Sequence, residues 1–241
     1  MQTNRIFSFH LDLIGLFRLG RSNKERIKSF NNLIDQCFVD KGSTVLIPTY
    51  SYSYTSGETY DINNSASKVG FVTESMRNLP NTRRTIDPIF SYMVKGPGIS
   101  GDNFVVKDYE CFGDNSLMSE LYEKDSMICS IAAPWDRVFT EVHFIEQLLG
   151  MKYRKNKTFQ GETVDASGLR HETSAVFYCR DYEYNLRSGH LRLAEDLMRD
   201  GLIETINIED KIEIKGISFK NLYEYVAQKV KTDYLYLCEE V

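Results

Sequence analysis

This chain of 241 residues has few cysteines, no long apolar run and no excess of basic charge. Its five cysteines, Cys37, Cys111, Cys129, Cys179 and Cys238, are widely spaced, odd in number and never arranged as Cys-x-x-Cys. That pattern argues against both a disulfide framework and a zinc site, and no other metal-ligand spacing is found: His171 and His190 have none. No span of 18 apolar residues is present, and Arg5, His10 and Asp12 interrupt the N-terminal run, so neither a membrane span nor a signal peptide is expected. With 29 basic against 34 acidic residues the net charge is −5, whereas nucleic-acid binding needs a basic surface to neutralise phosphates. The chain also lacks a Gly-x-Ser-x-Gly elbow and a Walker loop, which removes the serine-hydrolase and nucleotide-hydrolase readings. What remains is a cytoplasmic protein that meets neither nucleic acid nor membrane. Its acidity is compatible with an amine substrate.

At 42% hydrophobic and 26% charged residues, the composition suits a large α/β domain with a self-sufficient core. Ile6–Leu13 reads as a strand. Ser22-Asn23-Lys24-Glu25 is a capping box opening a helix that carries Ile27, Phe30, Leu33, Ile34, Cys37 and Phe38 on one stripe. Gly42 ends that unit, and Thr44–Pro48 reads as a buried strand. Such a strand–helix–strand run implies a parallel pair joined by a right-handed crossover. Residues 50–68, with Tyr50-Ser51-Tyr52-Ser53-Tyr54, read as a long loop, either a binding lid or a solvated surface segment.

Further elements are expected along the rest of the chain. They are helices at Gly70–Leu79, Ser116–Glu123, Thr140–Gly150, Ser188–Arg199 and Ser218–Val230, and strands at Phe90–Val94, Phe104–Val106, Ser126–Ala133 and Thr173–Cys179. A hairpin is expected around Glu209-Asp210, joining Ile203–Ile208 to Lys211–Ile214. No repeat, linker or charge block divides the chain. The expectation is one three-layer α/β/α domain over residues 1–241 with a largely parallel or mixed central sheet.

The segment richest in chemistry is Thr140-Glu141-Val142-His143-Phe144-Ile145-Glu146. Helical spacing puts His143 and Glu146 on one face with Thr140 a turn earlier, and a histidine beside a carboxylate is a proton acceptor suited to neutral pH. Three other segments accompany it: Val45-Leu46-Ile47-Pro48-Thr49-Tyr50-Ser51, Arg83-Arg84-Thr85-Ile86-Asp87-Pro88-Ile89-Phe90-Ser91-Tyr92, and Tyr153-Arg154-Lys155-Asn156-Lys157-Thr158-Phe159-Gln160-Gly161. In this order and spacing, over residues 6–180, the chain resembles the aminoglycoside 3-N-acetyltransferase-like family. That family shows His-Ser-Ser-Leu after its first strand, then Pro-Thr-Phe-Ser, Arg-Ser-x-His-Pro-x-x-Ser and a Thr-x-x-His-x-x-Glu helix with an aromatic-Arg-basic segment behind it. Two positions depart from the pattern. His10-Leu11-Asp12-Leu13 stands for the first motif, and Asp87 stands for the histidine before Pro88.

The resemblance implies an N-acyltransferase that moves an acetyl group from acetyl-CoA, or another acyl from its CoA thioester, to an amine of an aminoglycoside or amino sugar. No metal is implied. His143 would be the general base and Glu146 its orienting partner, while Thr140 would lend a hydroxyl or simply cap the helix. Asp87, Tyr50 and Asp12 are candidates for binding the amine substrate; Ser91, Arg84 and Arg154 are candidates for holding coenzyme A. Asp87 also reads as an Asp-Pro turn residue, and the arginines as ordinary surface charge. Two readings compete with this one: a non-catalytic relative that binds a coenzyme or sugar, and a Cys–His thioesterase or amidase using Cys129. A homodimer is left open.

Overall fold

Alternation along two strands decides the architecture, which the computed structural model describes for residues 4–77, 79–99 and 106–240. Strand β1 (Ile6–Leu11) points Phe7 and Phe9 to one side and Ile6, Ser8 and His10 to the other. Strand β2 (Thr44–Pro48) divides in the same way, with Val45 and Ile47 opposite Leu46. Between them runs α1 (Asn23–Cys37), started by Ser22: its hydroxyl accepts from the Glu25 amide while the Glu25 carboxylate accepts from the Ser22 amide. Ile27, Phe30, Leu33 and Ile34 of α1 are buried against Phe7, Phe9, Val45 and Ile47. Each such side chain contributes about 1.5–3 kcal/mol on burial. The chain reverses at Gly42, whose φ of 80° is the left-handed conformation that suits glycine. β1 and β2 pair in parallel, as the crossover requires.

After β2 come β3 (Tyr60–Asp61), α2 (Phe71–Arg77), β4 (Arg83–Arg84), β5 (Tyr92–Lys95), β6 (Asp108–Glu110), α3 (Leu117–Glu123), β7 (Met127–Ile131) and α4 (Glu141–Leu148). The remaining elements are β8 (Arg154–Val164), β9 (Arg170–Arg180), β10 (Leu186–Ser188), α5 (His190–Arg199), β11 (Glu204–Ile208), β12 (Ile212–Ser218), α6 (Phe219–Thr232) and β13 (Cys238–Glu240). The central sheet has the order β11-β12-β7-β1-β2-β5-β4. It is mixed: among the described residues the β7–β1 and β1–β2 pairings are parallel, and the pairings outward from them on both sides are antiparallel. Helices α1 and α2 cover one face. Helices α3, α4, α5 and α6 share the core on the other. The expected strand at Phe104–Val106 falls largely outside the described residues.

A second sheet, β3-β8-β9-β6, lies on the α4 side and sends Tyr60, Tyr109 and Ala175 into that core. Its centre is a hairpin of two 11-residue strands, β8 and β9, of which the sequence suggested only the second. This sheet also explains the 50–68 segment. Tyr50, Tyr54 and Tyr60 are buried, the Tyr54 hydroxyl donates to the Thr173 carbonyl of β9, and only Tyr52 turns outward. The segment is thus anchored by its buried tyrosines, while residues 56–59 and 63–64 are exposed.

Candidate active site

The parallel strands β1, β2 and β7 end together, and the segments leaving them carry the polar residues. In open α/β sheets this carboxyl edge is where ligands bind. The first turn of α4 sits over β1: the Ser8 hydroxyl donates to Glu141 Oε1 at 3.0 Å, and His10 Nε2 lies 3.3 Å from the same oxygen. Glu141 is fully buried, and among the described residues its Oε2 has no hydrogen-bond partner. Beside it, the Tyr50 phenol donates to Tyr92, and the Thr140 hydroxyl faces Tyr50. Burial and the nearby Glu141 hold both phenols well above their usual pKa, so they remain protonated donors. Thr140 stands at the cap position of α4, yet its backbone is already helical and its hydroxyl caps nothing. It is available to the site.

One turn further, His143 Nδ1 meets Glu146 Oε2 at 2.9 Å, as the helical spacing anticipates. Arg154, at the base of β8, brings its Nε to 2.6 Å from that same oxygen. Burial alone would push the Glu146 carboxyl up, but the contact with His143 and the Arg154 charge outweigh it and bring it down to about 2. The imidazole shifts the other way. Burial, reinforced by the Arg154 charge, draws His143 below its usual value against the pull of Glu146. At neutral pH the residue is therefore an uncharged imidazole with Nδ1 committed. Its side chain is 19% exposed, and Nε2 has no partner among the described residues. Phe112 packs edge-on to the ring at 6.0 Å, within a cluster that includes Phe90 and Phe177. His190, the first residue of α5, lies 5.8 Å from it on another side. Burial and the neighbouring His143 bring His190 down to about 4, and its Nε2 has no partner.

The other expected residues are placed differently. Arg84 is buried, and each of its nitrogens serves the protein: Nε meets the Thr49 and Ser91 hydroxyls, and the two terminal nitrogens donate to the carbonyls of Ile62, Ser65 and Thr49. Ser91 is likewise buried and donates to the Thr49 carbonyl. Arg84 thus ties down the 50–68 segment, and Ser91 the Thr49 backbone just before it. Arg154 is 8% exposed; besides Glu146 it reaches the Tyr178 carbonyl and the Ser188 hydroxyl, so its charge is spent inside the protein rather than on a phosphate. Asp87 accepts from the Ile89 and Phe90 amides at 2.8 Å, as an Asp-Pro turn residue does, and burial pushes its carboxyl up. Asp12 is exposed and caps the short turn Leu13–Leu19 through the Ile14 amide. Cys129 faces the α1 side of the sheet, away from His143, and burial pushes its thiol up. A Cys–His nucleophile is therefore not assembled. Glu141 and His190 were not anticipated.

A family model described as aminoglycoside 3-N-acetyltransferase matches residues 36–230. The chain belongs to the aminoglycoside 3-N-acetyltransferase family. It is thus an acyltransferase of the CoA-dependent N-acetyl class, with acetyl-CoA as co-substrate. Solved structures agree with this acetyltransferase fold. AAC-IIIb in binary complex with coenzyme A aligns at a TM-score of 0.72 and 17% identity, over 95% of this chain and 90% of its own. YokD from Bacillus subtilis aligns at 0.72 and 13%, over 96% and 88%. Sisomicin-bound AAC-VIa aligns at 0.70 and 15%, over 96% and 92%. No curated protein sequence matches the chain. Among the described residues no helix is long and apolar enough to cross a membrane.

Proposed function

We propose that the protein acetylates an amino group of an aminoglycoside or amino sugar by direct attack of the amine on the acetyl-CoA thioester, with His143 as general base. One observation carries this reading: a neutral imidazole whose Nδ1 is fixed by an ionised carboxylate and whose Nε2 is unpaired on a partly exposed edge. An alkylammonium cannot attack a carbonyl, so a group must take its proton, and a positioned base typically contributes 10²–10⁴-fold. The ammonium first gives one proton up to solvent; as the neutral amine nitrogen then bonds to the carbonyl carbon, His143 Nε2 accepts a second proton from it. The carbon–sulfur bond then breaks, and the imidazolium can return that proton to the departing thiolate. Glu146 keeps Nδ1 protonated, and with it the tautomer that leaves Nε2 a lone pair.

The developing oxyanion needs donors. Thr140, backed by the Tyr50 and Tyr92 phenols, is the side chain we assign to that task. The structure gives Asp87 and Asp12 turn-forming contacts, so the amine's specificity is assigned to the aromatic wall of Phe90, Phe112 and Phe177 beside the base. The test is thiol release from acetyl-CoA against a panel of aminoglycosides and amino sugars, with mass spectrometry of the products. Acceptor-dependent release with a mass gain of one acetyl supports the proposal. Coenzyme binding without transfer to any acceptor would leave the non-catalytic reading.

A further inference from the structure

We propose that Arg154 is a positioning residue for acyl transfer: by pairing with Glu146 it lets that carboxylate hold the His143 imidazole without charging it. This rests on His143 being the base. A bare buried carboxylate 2.9 Å from an imidazole draws a proton onto the ring, and an imidazolium has no lone pair with which to relieve the amine. Arg154 Nε lies on Oε2, the same oxygen that receives His143 Nδ1, so its positive charge offsets the carboxylate where the ring feels it most. The guanidinium is held there by the Tyr178 carbonyl and the Ser188 hydroxyl, from the base of a hairpin whose rungs begin at Arg154 and Arg180.

The charged and titratable groups around the ring among the described residues fit this balance: Tyr153 and Cys238, which lie near Glu146, are kept protonated by burial. From α4 come the carboxylates Glu146 and Glu141; from β8 comes Arg154; from α5 comes His190, which stays uncharged above about pH 4. Without Arg154 the ring would face two carboxylates and no cation. A lysine could supply the charge but not the three-point hold on Glu146, Tyr178 and Ser188.

The chain has four histidines, so the His143 ring can be followed by NMR titration alongside the pH profile of kcat/KM. In Arg154→Met and Arg154→Gln, the His143 midpoint should rise by about 1–3 pH units, with the acid limb of the rate profile following it. Arg154→Lys should stay within about one unit of the parent. The double variant Glu146→Gln/Arg154→Met, which leaves no buried charge unpaired, should return the midpoint to the parent value or below. An unchanged midpoint in the neutral variants overturns the proposal. So does a raised midpoint in the double variant, which decides the matter even if the single variants fail to fold. A midpoint that moves while the acid limb stays put sinks the base assignment itself and leaves the effect of Arg154 on the ring intact.

Discussion

Two histidine–carboxylate pairs in this molecule have nearly the same length and opposite meanings. His143 and Glu146 meet at 2.9 Å in the site; His171 and Asp165 meet at 2.8 Å at the tip of the β8–β9 hairpin. At the tip both partners are partly exposed, and Asp165 also accepts from the Ser167 and Leu169 amides to close the turn. In the site Glu146 is 1% exposed and bound to a buried arginine. A short contact between imidazole and carboxylate is therefore no evidence of a base. Burial on one side and a counter-cation behind the carboxylate separate the two.

The sharpest way to break this comparison is to remove each histidine. His143→Ala should lower turnover by roughly 10²–10⁴-fold with coenzyme binding little changed. His171→Ala should leave turnover within about twofold, since surface substitutions away from special features are nearly neutral. Equal effects would abolish the distinction. Next come the carboxylates. Glu146→Gln should cost less activity than His143→Ala, because the imidazole stays in place. It should nonetheless destabilise the fold by about 3–5 kcal/mol in chemical denaturation, because Arg154 is left buried and unpaired. Asp165→Asn should barely move the melting temperature.

The buried histidines also set a pH dependence. His143 and His190 have folded pKa values below those of the unfolded chain, so the unfolded state binds more protons in that window and stability falls as pH drops through it. For His190 the window runs from about 6.5 to 4, worth on the order of 3 kcal/mol. Glu146 continues the loss between about 4.5 and 2, as its carboxylate takes up a proton. Denaturation at pH 7 and pH 4.5 should show a smaller difference in His190→Gln than in the parent. Cys129→Ala, on the far face of the sheet, should cost about 1 kcal/mol of stability from lost packing, with no measurable loss of turnover.

What could be read from the sequence was local. Ser22 and Glu25 announce a helix start within four residues, and Glu209-Asp210, both at positive φ, turn the β11–β12 hairpin where expected. His143 and Glu146 share a helix, so their contact follows from spacing alone. β8 escaped because Lys155, Asn156, Lys157 and Thr158 are all exposed, and such a stretch leaves no alternation to detect. The tyrosines of residues 50–60 read as a lid or a surface loop because their cover is non-local: Phe90 and Tyr92 for Tyr50, Arg84 and Thr85 for Tyr60, and Thr173 of β9 for Tyr54. Arg154 was visible as a residue but not as a partner of Glu146. Its role depends on a hairpin that the sequence did not disclose, and the same distance hid Glu141 against β1 and His190 against His143.

The β8–β9 hairpin pairs rung by rung from Arg154↔Arg180 to Val164↔Arg170, and side chains along it alternate between faces. Arg154 reaches Glu146 from one face only. A single inherited insertion between Lys155 and Val164 would either break a rung or carry the guanidinium to the opposite side, whereas residues added to the turn at 165–169 would leave it in place. Over evolutionary time the tip of this hairpin is thus free to lengthen, shorten or acquire new contacts, while its base is held to a count of residues fixed by the chemistry at the far end.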